Sequence, residues 1–223
     1  MNTLPSYISI TFILTTLLTI WLFFRATNYS KTTLIVLILW AIFQSIIALT
    51  GFYAAIGDFP PRFLLLLVPA ILMIIFLFNT SKGKRFIDEL SLEKLTILHI
   101  VRVPVEIVLF WLFLQKTIPQ LMTFEGRNFD ILAGITAPII YYFVFVKKVL
   151  NKKILLIWNV VCLILLANIV INALLSAPLP FQQFAFEQPN IGVLYFPFNL
   201  LPSVVVPLVL FSQLVAVRQI LKK

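Results

Sequence analysis

The sequence predicts an all-α, polytopic membrane protein: a bundle of seven transmembrane helices with the N-terminus outside and the C-terminus in the cytoplasm. Composition is the first reason, because 61% of the 223 residues are hydrophobic and 11% are charged. A soluble domain averages about 45–50% apolar and about 25% charged residues. A soluble chain of this length has too small an interior to bury so much apolar surface. The other two reasons are the continuous apolar runs and the placement of the basic residues between them.

The apolar runs predict the positions of the spans within one integral membrane domain, residues 1–223. A helix needs about 20 mostly apolar residues to cross the hydrocarbon layer, and the third and fifth runs are at the short end of this range. The runs do not alternate polar and apolar residues as the strands of a membrane β-barrel would. The predicted spans are residues 4–24, 33–56, 62–78, 95–115, 131–146, 154–177 and 198–217.

The basic residues predict the orientation of the chain. Of the seventeen Lys and Arg residues, thirteen fall on one side of the predicted bundle. Arg62, Lys116 and Arg127 fall on the other side, and Arg102 lies within a span. Because cytoplasmic loops carry an excess of Lys and Arg, the side with thirteen is expected to be cytoplasmic. We therefore expect a multi-pass protein of the bacterial cytoplasmic membrane. The net charge of +9 is explained by the basic residues of the cytoplasmic loops, and we do not expect the protein to bind nucleic acid.

A polar stripe on the fourth span is the strongest functional signal. His99, Arg102 and Glu106 fall within about 60° of one another at 100° per residue. Arg102 and Glu106 are four residues apart and can pair, while Pro104 removes a backbone donor and can bend the helix beside them. One interpretation is a buried ion pair that sets the rotation of the helix. The other is a polar cavity in which Glu106 binds a proton, a cation or a polar ligand, with Arg102 as counter-charge.

Two weaker candidate sites lie nearby in the sequence. Asn168 and Asn172 form a stripe on the sixth span, which either makes interhelical hydrogen bonds or lines the same cavity. In the link before the fifth span, Glu125, Arg127 and Asp130 concentrate charge in an otherwise apolar chain. Asp130 can cap the fifth span, so this group is either structural or an external site for a cation or polar ligand.

The aromatic link at residues 178–197 is expected to lie in the membrane interface or to fold over the bundle as a lid.

Several classes of chemistry lack the residues they need. No lysine lies within a span, which excludes a retinal Schiff base. His99 is the only histidine and Cys162 the only cysteine, so neither a multi-histidine zinc site nor a bis-histidine haem is expected. No glycine-rich phosphate loop or serine-hydrolase motif is present in the sequence. The sequence therefore predicts no cofactor, no metal and no assigned catalytic residue.

Three functions remain open from the sequence. The first is a small-solute or ion transporter, or a ligand-binding membrane sensor, that uses Arg102 and Glu106. The second is a structural or partner-binding subunit of a membrane complex, in which the polar stripes only pack helices. The third is an intramembrane enzyme acting on a lipid-like substrate with His99 or Glu106 as base. The expected partners are the lipid bilayer, a small polar ligand or ion, and another membrane protein or a second copy of the chain, with no nucleic acid.

The predicted topology can be tested with tags at the two ends of the chain. An odd number of crossings places residues 1 and 223 in opposite compartments. We expect a protease applied from outside intact cells to remove an N-terminal epitope tag and to leave a C-terminal tag protected. Equal accessibility of the two tags would contradict the seven-span topology, and a tag on a known periplasmic loop of another protein serves as the positive control.

Overall fold

The computed structural model describes residues 4–55 and 61–222, and this part is all-α, with 74% helix and no strand. Several helices begin after a residue whose side chain caps the first turn. Before the second helix, for example, the Ser30 hydroxyl accepts a hydrogen bond from the amide of Thr33. The helices are α1 (Ser6–Ala26), α2 (Lys31–Leu49), α3 (Leu64–Asn79), α4 (Ser81–Glu89), α5 (Leu92–Leu98), α6 (Arg102–Leu114), α7 (Ile131–Tyr141), α8 (Lys152–Leu175) and α9 (Val206–Leu221).

Five helical segments of the described chain are long and apolar enough to cross a membrane. They are α1, α2, the continuous run of α5 and α6 over Leu92–Leu114, α8, and the run Leu201–Leu221 that contains α9. The third predicted span is the 16-residue α3, which bends by 94° into α4, and counting this pair as one span raises the number to six. The segment Ile131–Val146, the fifth predicted span, is shorter. The structure thus indicates a membrane protein, while the count of seven and the orientation stay predictions.

The predicted span boundaries agree with the helices to within a few residues, apart from the second. That span was expected to run to residue 56, but α2 ends at Leu49 and is followed by Gly51, whose φ of 74° ends the helix. Only a residue without a Cβ adopts this left-handed conformation readily. A short 3-10 turn, Phe52–Ala54, comes next, and Ile56 lies outside the described residues.

The run of α5 and α6 is the central element, because α5 packs against α1, α7 and α9 while α6 packs against α1 and α7. A 3-10 turn, His99–Val101, joins the two helices one turn before Pro104. Pro104 has no backbone N–H, so it cannot donate a hydrogen bond to the turn of helix before it. The 3-10 turn lies at this place, where the sequence predicts a bend. By contrast, α2 is peripheral and exposes large side chains such as Ile35, Leu39 and Ile46, as a lipid-facing helix does.

Two ends of the bundle are identified by contacts between helix termini. At the lower end, where α1 ends, the amide of Ser91 donates to the carbonyl of Ala26, and the Gln219 side chain donates to the carbonyl of Leu90. At the upper end, where α1 begins, the ring of Tyr7 contacts that of Trp111. The lower end corresponds to the predicted cytoplasmic side.

The link at residues 79–94 forms the surface helix α4 at this lower end. Asp88 pairs with Lys222 at 2.6 Å and with Arg218 at 3.4 Å, which ties α4 to the end of α9. The hydrogen bond from Lys222 holds the pKa of Asp88 below its ordinary value.

Close packing of α7 on the central element depends on Gly134. A Cβ at this position would lie 2.8 Å from Cγ2 of Val103 and 2.9 Å from its backbone nitrogen, and 3.2 Å from Cβ of Arg102. Only glycine therefore lets α7 approach the segment that carries Arg102.

We expect Gly134→Ala to lower the free energy of unfolding by about 1–3 kcal/mol, because the new methyl group overpacks this contact. Thermal unfolding of the purified protein in detergent measures the change. Ile135→Ala is the matched control, since Ile135 is 51% exposed on the same helix and should change the stability little. Equal effects of the two substitutions would contradict the close approach at Gly134.

Candidate functional site

A buried ion pair lies at the middle of the central element. Nη1 of Arg102 is 2.6 Å from Oδ1 of Asp130, and the two side chains are 3% and 7% exposed. The same nitrogen lies 3.4 Å from the carbonyl oxygen of Cys162 on α8. The expected pairing of Arg102 with Glu106 is therefore wrong, because Asp130 enters from the start of α7 and takes the guanidinium. The expected capping of α7 by Asp130 is also wrong, since its side chain makes no capping bond there.

Glu106 is held by an amide that the sequence analysis did not single out. Nδ2 of Asn128 lies 2.7 Å from Oε1 and 2.6 Å from Oε2 of Glu106. The same nitrogen donates to the carbonyl of Met122, while Oδ1 of Asn128 accepts from the amide of Asp130 at 3.0 Å. One side chain thus connects the carboxyl group of Glu106 to the backbone of Asp130. In the sequence, Asn128 stands between the charged residues Arg127 and Asp130, and this was the available signal. The structure buries Asn128 completely, which could not be predicted for a residue in a polar link.

A cavity of about 80 Å³ is bordered by Glu106 and Asp130. It lies in the upper half of the bundle, and Glu106, Asp130 and Asn190 are its polar wall residues. A water molecule needs roughly 10–15 Å³ by this measure, so the space holds several waters or a small organic group. The rest of the wall is apolar and includes Leu67 of α3, Leu109 of α6, Val170 and Leu174 of α8, and Val206 of α9.

The cavity is open at its side. Leu67 on α3 and Val170 and Leu174 on α8 are partly exposed, so the wall continues to the outer face of the bundle. These helices expose apolar side chains such as Leu65 and Ile171 to their surroundings. The opening among the described residues therefore faces the region that lipid occupies around a membrane protein.

The aromatic link closes the upper end of the cavity, as the lid interpretation predicts. The amides of Ile191 and Gly192 donate to the carbonyl of Thr117, and the amide of Asn190 donates to the carbonyl of Ser176. Val193 of the same link is buried and lines the cavity with Asn190. The two long upper links thus pack on each other above Glu106.

His99 does not share the cavity. Its ring is 1% exposed and meets the ring of Trp158 edge-on at 5.5 Å. The indole nitrogen of Trp158 donates to the hydroxyl of Thr136, while Nδ1 of His99 has no partner in the described structure.

The two asparagines of the predicted stripe donate to backbone carbonyls. Nδ2 of Asn168 donates to the carbonyl of Arg127 at 2.7 Å, and Nδ2 of Asn172 donates to the carbonyl of Asn168 at 2.9 Å. Neither side chain is among those that line the cavity. Their geometry agrees with the structural interpretation, because Asn168 fixes the upper link to α8.

The predicted outer-loop site is not assembled by the structure. Glu125 and Arg127 are exposed, whereas Asp130 is buried against Arg102. The guanidinium of Arg127 lies over the ring of Phe184 at 5.5 Å. Asp130 therefore belongs to the buried cluster with Arg102 and Glu106. In residues 4–55 and 61–222, no group of three or more His, Cys, Asp or Glu side chains is placed to hold a metal ion.

Buried polar atoms without partners mark the site. Nε and Nη2 of Arg102 and Oδ1 of Asn190 have no hydrogen-bond partner among the described residues. Buried polar atoms are almost always hydrogen-bonded to protein or to water. Two of these residues, Arg102 and Asn190, therefore have hydrogen-bonding capacity that protein groups do not use.

The comparisons with known proteins identify a family without an assigned activity. Residues 60–221 match the family model described as "Domain of unknown function (DUF8737)", and the chain belongs to this family. No curated protein and no solved structure matches the chain significantly. The family therefore assigns no function, and the site itself is the evidence for one.

We expect Asp130→Ala to lower the free energy of unfolding by about 3–5 kcal/mol, because it leaves the buried charge of Arg102 without its partner. Chemical or thermal unfolding in detergent measures the loss, and Glu125→Ala on the exposed part of the same link is the control. The double variant Arg102→Leu with Asp130→Ala should recover part of the stability. A loss below about 1 kcal/mol for Asp130→Ala would show that the pair contributes no more than an exposed one.

Proposed function

We propose that the protein is a ligand-binding membrane protein, either a small-solute transporter or a membrane sensor, whose binding site is the cavity at Glu106 and Asp130. The observation that carries the proposal is that an open cavity of about 80 Å³ is bordered by two acidic residues whose carboxyl groups are buried. Ligand sites are concave, mostly apolar and carry a few polar groups that orient the ligand. In the predicted orientation the site lies in the outer half of a bacterial cytoplasmic membrane.

A purely structural role explains this cluster less well. An ion pair that only fixes helix rotation needs one acid and one base, and Arg102 and Asp130 already form it at 2.6 Å. Glu106 is a second acid at the same depth, and ionisable groups within membranes are costly enough to mark functional sites. Protein interiors are otherwise close-packed, so an unfilled space beside Glu106 favours binding.

An enzyme acting on a lipid-like substrate is supported less than a binding protein. Proton transfer needs a base within hydrogen-bond reach of the substrate and a second group to stabilise the charge that develops. His99 is packed against Trp158 and is separate from the cavity wall, so it does not assist Glu106.

An apolar carbodiimide tests whether small molecules reach Glu106. Dicyclohexylcarbodiimide adds to a protonated carboxyl group and leaves a stable N-acylurea, which peptide mass spectrometry locates. We expect Glu106 or Asp130 to be modified in protein reconstituted in liposomes at mildly acidic pH, and we expect Glu106→Gln to lower the incorporation at least severalfold. Glu125→Gln is the control and should leave it unchanged.

Modification confined to exposed carboxyl groups such as Glu125 would show that the cavity is closed to small molecules, and the binding proposal would fail. The structural-subunit function would then be the better one.

A further inference from the structure

We infer that the ligand of this cavity is an amphipathic organic cation: a primary ammonium group on a short hydrocarbon body, without an anionic group. The inference rests on the proposed function and specifies the class of ligand that the same site takes. It follows from the hydrogen-bonding groups, the charge and the walls of the cavity.

Among the residues that line the cavity, the polar atoms without a partner are acceptors. Arg102 bonds to Oδ1 of Asp130, and Oδ2 has no hydrogen bond in the described structure. Nδ2 of Asn190 donates to the carbonyl of Ala173 at 3.2 Å, so its oxygen is the atom left without a partner. A carbonyl can accept but not donate, which fixes this orientation of the amide. Since the carboxylate of Glu106 also accepts only, the ligand must supply the donors.

The charges of the cluster favour a cation. With both acids ionised, Glu106 and Asp130 carry two negative charges against the single positive charge of Arg102. The other titratable groups nearby, His99 beside Trp158 and Cys162 behind Arg102, add no positive charge when neutral. An unbalanced charge in the interior of a bilayer is costly, so without a ligand the cluster is neutral when one of the two acids is protonated. An ammonium group that takes the place of this proton keeps the cluster neutral and supplies N–H donors to the carboxylates.

The walls exclude a bare metal ion and favour a hydrocarbon body. Ca²⁺ takes six to eight oxygen ligands and Mg²⁺ takes six, whereas Glu106, Asp130 and Asn190 are the polar wall residues. The remaining wall residues, such as Leu109 and Val170, cannot replace a hydration shell but match an alkyl group. A phospholipid amine fits less well, because its phosphate would approach the same two carboxyl groups with like charge.

Ligands of equal length and different head groups test the inference. Hexylamine, hexanol and hexanoate share one hydrocarbon body, so they separate apolar partitioning from recognition of charge. Isothermal titration calorimetry of the protein in nanodiscs of phosphatidylcholine measures the affinities, with empty nanodiscs as background. We expect hexylamine to bind at least tenfold more tightly than hexanol and hexanoate to show no saturable binding.

Two variants connect this binding to the site. Glu106→Gln keeps an oxygen for Asn128 but removes the negative charge, and should weaken hexylamine at least tenfold. Asn190→Ala removes one acceptor without changing the charge and should weaken it less. Glu125→Gln is the control for a distant acid, and gel filtration checks that each variant is folded.

The outcomes separate this inference from the proposed function. Equal binding of hexylamine and hexanol, with Glu106 still labelled by the carbodiimide, would overturn the cation and leave the binding proposal intact. Loss of hexylamine binding in nanodiscs that contain phosphatidylethanolamine would show that the aminolipid occupies the cavity, which overturns the exclusion of an anionic group. Absence of carbodiimide labelling at Glu106 and Asp130 would remove both proposals.

Discussion

The guanidinium of Arg102 is the group to which the rest of the site adjusts. A charge at this depth requires a partner, and the partner comes from outside its own helix. Asp130 reaches it because the link at residues 116–130 folds into the bundle and because Gly134 allows α7 to pack close to the central element. The same inward fold places Asn128 on Glu106. The shortness of Ile131–Val146 follows from this arrangement, since the segment begins at the buried ion pair.

Two irregular turns of the backbone are buried within the bundle, and one of them lines the cavity. The central element has a 3-10 turn at His99–Val101, and the last span begins with a π turn at Leu201–Val205, whose Pro202 lines the cavity. Within a membrane, non-helical backbone is tolerated where it is buried in protein or lines a cavity. Both turns occur in that setting.

The site retains polar atoms that a structure optimised for stability would satisfy. Arg102 leaves two nitrogens without partners, and Asn190 leaves its oxygen without one, although both residues are buried. Such local violations are expected at functional sites. The lower end of the bundle is different, because there Asp88 and Gln219 have their partners and join α4 to α9.

The sequence by itself determined the class of protein and the positions of its helices. Apolar runs and helix-start residues are local properties, so the ends of α8 and of the segment Ile131–Val146 were predicted to within two residues. The stripe of Arg102 and Glu106 was likewise evident from helical periodicity. The tertiary structure alone decided what these groups do, because Arg102 and Asp130 are 28 residues apart and meet only through the fold of a link that has no periodicity. Local spacing favours a pair between Arg102 and Glu106, four residues apart. In the structure the buried link instead provides Asp130 as the partner of Arg102 and Asn128 as the partner of Glu106, and Glu106 lies beside a cavity.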